Sequence, residues 1–237
     1  MTALLEGRGL TKRYGDLVVL DNVDLAIARG EAVGIVGPNG AGKTTLLNVL
    51  AGSIRAEGQI AHNGVDITRT RPDQRCRLGI GRAFQIPRPF GGMTVLENLV
   101  VAASYGGDRR TAYGRCVEVL EECGLTPLAD RRAESLGLLH RKRLELARCL
   151  ATQPGVVLLD EIGAGLTDAE AAELVTAVKQ VRAAGTAIVW IEHIVHVLVQ
   201  VVDRLICMDT GRVIADGPPR EVLGDAKVID AYLGKAA

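Results

Sequence analysis

The stretch Gly37-Pro38-Asn39-Gly40-Ala41-Gly42-Lys43-Thr44 fits the pattern G-x-x-x-x-G-K-[ST]. Successive backbone N–H groups of such a loop wrap the phosphates of a nucleotide. Its glycines let the backbone come close and take torsions that a Cβ forbids. The flanks fit as well as the string. Ala32-Val33-Gly34-Ile35-Val36 reads as a buried strand entering the loop, and residues 43–51 read as the helix leaving it. The helix N-terminus adds partial positive charge to the same place. Gly37, Pro38, Asn39, Gly40, Ala41, Gly42, Lys43, Thr44 and Thr45 are therefore expected to bind a nucleoside triphosphate.

Composition narrows the class. The chain has 237 residues, 48% of them hydrophobic and 24% charged, which gives a globular protein with ample core. Basic and acidic residues balance at 28 each, and only 3% are aromatic. A nucleic-acid binder needs a basic excess or stacking positions, so no nucleic-acid partner is expected. The first residues carry neither a basic start nor a long apolar run, so no secretory signal is expected. The most apolar segments, 186–191 and 194–202, are far shorter than a membrane span, so no direct membrane insertion is expected. Cys76, Cys116, Cys123, Cys149 and Cys207 form no C-x-x-C pair and read as reduced packing thiols.

Outward from the loop, the apolar runs alternate with helical spacing. Strands are expected at 4–10, 18–20 and 23–27, then a hairpin around Gly58-Gln59-Ile60 and His62-Asn63-Gly64. A short helix from Pro72 to about Leu78 precedes a strand at 79–84. Residues 85–94 hold Pro87, Pro89, Gly91 and Gly92 and read as a loop. Helices follow at 95–104, 112–123 and 141–151, with a linker at 125–132. Val156-Val157-Leu158-Leu159-Asp160 is a continuous apolar run, as a strand buried on both faces should be. A helix at 168–184, a strand at 186–191, a helix at 194–202 and strands at 205–209 and 212–215 come next, with two short helices at the end. Strands alternating with helices predict a parallel α/β sheet.

Two acids, Asp160 and Glu161, close the apolar strand. They fall at the carboxyl end of the sheet, where ligands of open α/β folds bind. Phosphoryl chemistry on a nucleotide needs Mg²⁺, held by the loop Thr44 and an acid such as Asp160. Glu161 is then placed to orient or deprotonate the attacking water. His193, after Trp190-Ile191-Glu192, ends the next strand and has two nitrogens to hold a phosphate oxygen or that water. His62, His140 and His196 have no comparable placement.

The order of these motifs resembles an ABC-type ATPase, the nucleotide-binding subunit of a membrane transporter, over essentially the whole chain. The resemblance implies an α/β P-loop NTPase (RecA-like) core with a small antiparallel β subdomain and an inserted α-helical subdomain. Residues 1–86 and 154–237 would form the core and β subdomain, and 87–153 the helical, signature-bearing one. It implies that Tyr14 stacks on adenine. Gln85 would sense Mg²⁺ and water beside the transmembrane partner and join Thr44 and Asp160 at the metal. Asp160-Glu161 would be the Walker B pair, His193 the switch histidine, and Lys43, Gln85, Glu161 and His193 the catalytic set. Gly81-Arg82-Ala83-Phe84-Gln85-Ile86-Pro87-Arg88-Pro89-Phe90, Gly92-Met93-Thr94-Val95-Leu96-Glu97-Asn98, Ile191-Glu192-His193 and the tail from Asp203-Arg204-Leu205 through Ala231-Tyr232-Leu233-Gly234 resemble the branched-chain amino acid importer branch, which urea and amide importers share. That implies a cytoplasmic ATPase, peripheral on the inner membrane face through permease subunits. A weakly hydrolysing regulatory subunit and an ATPase exporting lipid or lipopolysaccharide are the alternatives.

Departures from the family pattern are confined to two places. Arg143-Leu144-Glu145-Leu146-Ala147-Arg148 sets the register, so the signature Leu-Ser-Gly-Gly-Gln reads Leu136-Gly137-Leu138-Leu139-His140. Further on, Ile162 stands for the usual proline and Thr167 for the usual aspartate. In the family, both elements act across a dimer interface on the partner's ATP, whereas Tyr14, Lys43, Thr44, Gln85, Asp160, Glu161 and His193 act on the chain's own. A heterodimer with a second ABC ATPase subunit, one site strong and one weak, is expected; a homodimer is the alternative. Ile86, Pro87, Phe90, Met93, Val95 and Leu96 are expected to include the dock for a permease helix.

Overall fold

A computed structural model describes residues 3–106 and 111–233; Gly234 of the tail lies outside them. In chain order the elements are β1 (Leu5–Tyr14), β2 (Leu17–Ile27), β3 (Ala32–Val36), α1 (Lys43–Leu50), β4 (Glu57–His62), β5 (Val65–Asp66), α2 (Pro72–Arg77) and β6 (Ile80–Ala83). Then come α3 (Val95–Gly106), α4 (Ala112–Glu122), α5 (Leu138–Ala151), β7 (Val156–Asp160), α6 (Asp168–Ala183), β8 (Ala187–Ile191) and α7 (Val195–Leu198). Strands β9 (Arg204–Asp209) and β10 (Arg212–Gly217) and helices α8 (Pro219–Gly224) and α9 (Ala226–Leu233) close the described chain.

Two sheets form. β2, β1, β4 and β5 make a four-stranded antiparallel sheet in that order. The other has six strands ordered β10-β9-β3-β8-β7-β6, parallel except for β10 at one edge. The expected parallel α/β sheet is thus present. Its central strands β3, β7 and β8 are buried along their whole length. The reason is visible in their alternation. Val33, Ile35, Val156, Leu158, Val189 and Ile191 pack toward α1 and the antiparallel sheet. Val36, Val157, Leu159, Ile188 and Trp190 pack toward α3, α4, α5 and α6. A strand covered on both faces needs apolar residues at every position.

Several sequence expectations shift. The strands expected at 18–20 and 23–27 are one strand, β2, which runs through Asn22 in a left-handed conformation at φ 52°. The polar Asp21-Asn22 pair breaks the apolar pattern, yet the register slip against β1 there absorbs it as a bulge. The hairpin turn falls on Asn63-Gly64, both at positive φ, so His62 belongs to β4. The helix expected from Arg141 begins three residues earlier, at Leu138. The helix expected over 194–202 is helical only over Val195–Leu198. Beyond it the backbone bonds tighten, Gln200 N–H to Val197 O and Val201 N–H to Leu198 O. Asp203 N–H then joins Ala32 O, so the chain has to turn into β9. β-branched Val199, Val201 and Val202 give the helix little local support.

Candidate active site

β3 delivers the glycine-rich loop between β9 and β2. At Gly37, φ +142°, a Cβ would lie 2.0 Å from Met208 O; at Gly42, φ +95°, it would lie 2.5 Å from Val19 O. Both positions exclude any side chain, which explains the sequence pattern sterically. Gly42 precedes α1 without a side-chain cap, and no acid occupies the first turn. The helix N-terminus therefore keeps its attraction for an anion. Asn39, Gly40, Ala41, Gly42, Lys43, Thr44 and Thr45 line one cleft of about 250 Å³ together with Val19 and Glu161. Lys43 is buried, and its Nζ donates to Gly37 O at 2.7 Å and Pro38 O at 2.9 Å. Burial lowers its pKa, opposed chiefly by the charge of Glu161.

Asp160 ends β7 against this loop. Its Oδ1 accepts from Thr44 Oγ1 at 3.2 Å. Its Oδ2 accepts from Arg82 at 3.0 Å, and the same guanidinium donates to Asn48 Oδ1 at 2.6 Å. Arg82 also stacks on Phe84, 4.6 Å from the ring centre. Burial raises the Asp160 pKa, and Arg82 and the Thr44 hydroxyl oppose that rise. One hydroxyl and one carboxylate are hard oxygen donors, side by side at the phosphate loop. Among the described residues no group of three or more His, Cys, Asp or Glu forms a metal cage. The donor set fits a cation such as Mg²⁺, which takes one or two protein oxygens and fills its other positions with phosphate and water.

Glu161 sits one residue further, with φ 47°, a backbone region that non-glycine residues rarely take. Its N–H bonds Ile191 O at 2.9 Å, which ties the turn after β7 to the end of β8. One carboxylate oxygen lies 2.7 Å from His193 Nε2, and the other accepts from Gln85 Nε2 at 2.6 Å. Two residues, one after β6 and one after β8, thus meet on the carboxylate that follows β7. Gln85, expected beside Thr44 and Asp160, bonds Glu161 instead. Beneath them Glu192 is 2% exposed and accepts from Gly163 N–H at 2.6 Å and His193 N–H at 3.3 Å. It holds the backbone that presents His193.

Other expected residues lie further out. Tyr14 is half exposed at the tip of the β1–β2 hairpin, with Lys12 Nζ 4.9 Å from its ring centre, and does not line the cleft. Gly137 caps α5 with no side-chain bond, Leu138 is 44% exposed and Leu139 is buried in the core. Ile162 is buried as well. Thr167 caps α6 through a reciprocal pair: its hydroxyl accepts from Glu170 N–H, and Glu170 accepts from Thr167 N–H at 2.9 Å. The expected docking residues divide. Ile86, Phe90 and Met93 are exposed, Pro87 and Leu96 are partly buried, and Val95 is wholly buried. Helix α5 fixes this segment, because buried Lys142 donates to Gln85 O at 3.3 Å and Arg148 donates to Arg88 O at 2.8 Å.

Sequence reasoning missed Arg82, Asn48, Lys142 and Glu192. Arg82 had a signal, a lone charge inside an otherwise uncharged strand; Lys142 had none, because basic residues crowd the start of α5.

A phosphate loop after β3, an acid pair at the end of β7, a histidine after β8 and helices α3, α4 and α5 between β6 and β7 define an ATP-binding cassette. The chain belongs to the ABC transporter family, which it matches over residues 20–164, and is an ATPase whose hydrolysis is coupled to transport. Residues 212–237 match the branched-chain amino acid ATP-binding cassette transporter family. It is 37% identical to the high-affinity branched-chain amino acid transport ATP-binding protein LivG of Salmonella typhimurium, over 98% of each chain. A nucleotide-free ATP-binding cassette from an ABC transporter superposes with a TM-score of 0.90 at 31% identity, over 99% of this chain and 100% of that one. A cassette in its ADP conformation gives 0.89 at 31% identity, over 99% of this chain and 100% of that one. ATP-binding subunits of this family bind nucleotide and work with permease subunits. Among the described residues no helix is long and apolar enough to cross a membrane.

Proposed function

We propose that the chain powers uptake of a small polar solute, branched-chain amino acids first, from the cytoplasmic face of a membrane. The observation that carries this reading is the meeting of Gln85 and His193 on Glu161, beside the loop that holds Lys43 and Thr44. The match of the C-terminal segment supports the solute class.

In this reading Gly37 to Thr45 hold the phosphates, and Tyr14 stacks on adenine. Thr44 and Asp160 would hold Mg²⁺, with Gln85 near it, and the cation would supply charge neutralisation at the phosphates. Lys43 leaves the Gly37 and Pro38 carbonyls for the phosphates. Glu161 accepts the proton of the attacking water, and His193 keeps that carboxylate and the phosphate oxygens in line. Arg82 holds Asp160 in place from the opposite side. Catalysis is positioning and electrostatics rather than covalent chemistry.

Residues 1–86 and 154–237 act as the nucleotide-binding core with its β subdomain, and 87–153 as the helical subdomain. Ile86, Phe90 and Met93 contact a permease, so that movement of Gln85 on Glu161 reaches the transmembrane partner. The partner ATPase supplies the intact signature. Leu138, exposed at the N-terminus of α5, crowds the place where a γ-phosphate of the partner would have to approach, so the site that uses it is weak. A test is reconstitution with permeases, partner and solute receptor in proteoliposomes. Wild type should accumulate leucine with ATP hydrolysis. Glu161→Gln should bind Mg-ATP yet lose hydrolysis and uptake by about 10²-fold or more. Retention of most hydrolysis would defeat the assignment.

A further inference from the structure

The C-terminal helix reaches the phosphate loop. Helix α9 packs on α8 and β10, with Val228 buried in the core and its first turn tied by Lys227 N–H to Asp225 Oδ1 at 2.8 Å. Tyr232 extends from it, and its hydroxyl oxygen accepts from Gly37 N–H at 2.7 Å. Gly37 lies just past the end of β3, whose pairing with β9 ends at Val36 and Cys207. Its carbonyl accepts from Lys43 Nζ at 2.7 Å. Its α-carbon is wedged so closely against Met208 that no side chain fits. One residue therefore joins three supports: the end of β9, the lysine of the loop and the tyrosine of the last described helix.

We propose that Tyr232 is a positioning residue for nucleotide binding, its hydroxyl fixing the first peptide of the phosphate loop. The inference rests on this loop being the nucleotide site. A loop whose amides must converge on phosphates loses affinity when its root is free to turn, because ordering it then opposes binding. Gly37 is that root. Its N–H is held by Tyr232 whether or not Lys43 leaves the carbonyl for the phosphates. A phenol suits this position, because its oxygen can accept from the Gly37 N–H while the ring, about half exposed, stays attached to α9.

The experiment compares wild type, Tyr232→Phe and Ile229→Ser, all as full chains. Ile229 is exposed on the same helix and serves as the control for disturbing it. Calorimetric titration with Mg-ATP and Mg-ADP, hydrogen exchange at the Gly37 amide and a melt without nucleotide are read for each. Tyr232→Phe should weaken both nucleotides about fivefold, the ratio one neutral hydrogen bond supports. It should speed exchange at Gly37 and leave the melting temperature nearly unchanged. In the assembled transporter it should raise KM for ATP about as much and leave kcat alone. Ile229→Ser should bind as wild type. Equal affinity of wild type and Tyr232→Phe would overturn the proposal, as would equal weakening by Ile229→Ser. Failure of wild type itself to bind would overturn the nucleotide site along with it.

Discussion

Glu161 holds a left-handed backbone conformation that a glycine would take without strain, and it is flanked by His193 and Gln85. A strained non-glycine residue persists only where its surroundings over-determine it, and such residues cluster at functional sites. Asp160 and Glu161 were legible as a pair because two acids end an apolar run. The surroundings that separate them were not: Arg82 and Thr44 reach Asp160, and His193 and Gln85 reach Glu161. Glu192 behaves differently again. Burial raises its pKa above the ordinary 4.5, against the pull of the Gly163 and His193 N–H groups. The folded state then binds more protons than the unfolded one in the window just above 4.5. Its contribution to stability is full below that value and is lost as pH rises through the raised one. Glu192→Gln keeps an acceptor for Gly163 N–H and removes the titration. Urea unfolding between pH 4.5 and 7 should show a flatter stability curve for the variant than for wild type. Equal slopes would contradict the assignment.

Elements followed the sequence where periodicity was unbroken and departed from it where a neighbour intervened. β7 and β8 were legible because burial on both faces leaves no polar position. β2 looked like two strands because Asp21 and Asn22 are polar; only the register slip against β1 shows the chain passing through. The extra first turn of α5 was hidden by the family signature, whose glycines read as loop but are Leu138 and Leu139 here. Leucine favours helix, and Leu139 is buried against the core. Thr167 was noted only as a departure, and the structure gives it a local reason as the cap of α6. Thr167→Ala should cost about 1 kcal/mol by denaturant unfolding, since the hydroxyl that satisfies Glu170 N–H is lost. Wild-type stability in that variant would show that the cap carries nothing.

Over the whole molecule, one sheet collects residues separated by most of the chain: Gly37 and His193 follow β3 and β8, and Asp160 ends β7, three strands that lie side by side. Helix α5 clamps the exposed Gln85–Phe90 segment through Lys142 and Arg148, the latter stacked 5.1 Å from the Phe90 ring centre. Phe90 is solvent-accessible, so Phe90→Asp should leave folding and Mg-ATP binding unchanged while lowering solute uptake per ATP hydrolysed at least tenfold, an order-of-magnitude loss in the range a central interface residue carries. Normal transport by a complex carrying it would remove the permease dock from this surface. The phosphate loop, the buried strands, the acid pair and the histidine were determined by the chain alone, because local sterics and burial on both faces constrain which residue types can stand there. What only tertiary structure decided is which groups meet: Arg82 with Asp160, Gln85 with Glu161, Tyr232 with Gly37. Those pairs lie far apart in sequence, and no local pattern encodes a contact that exists only once the strands are ordered side by side.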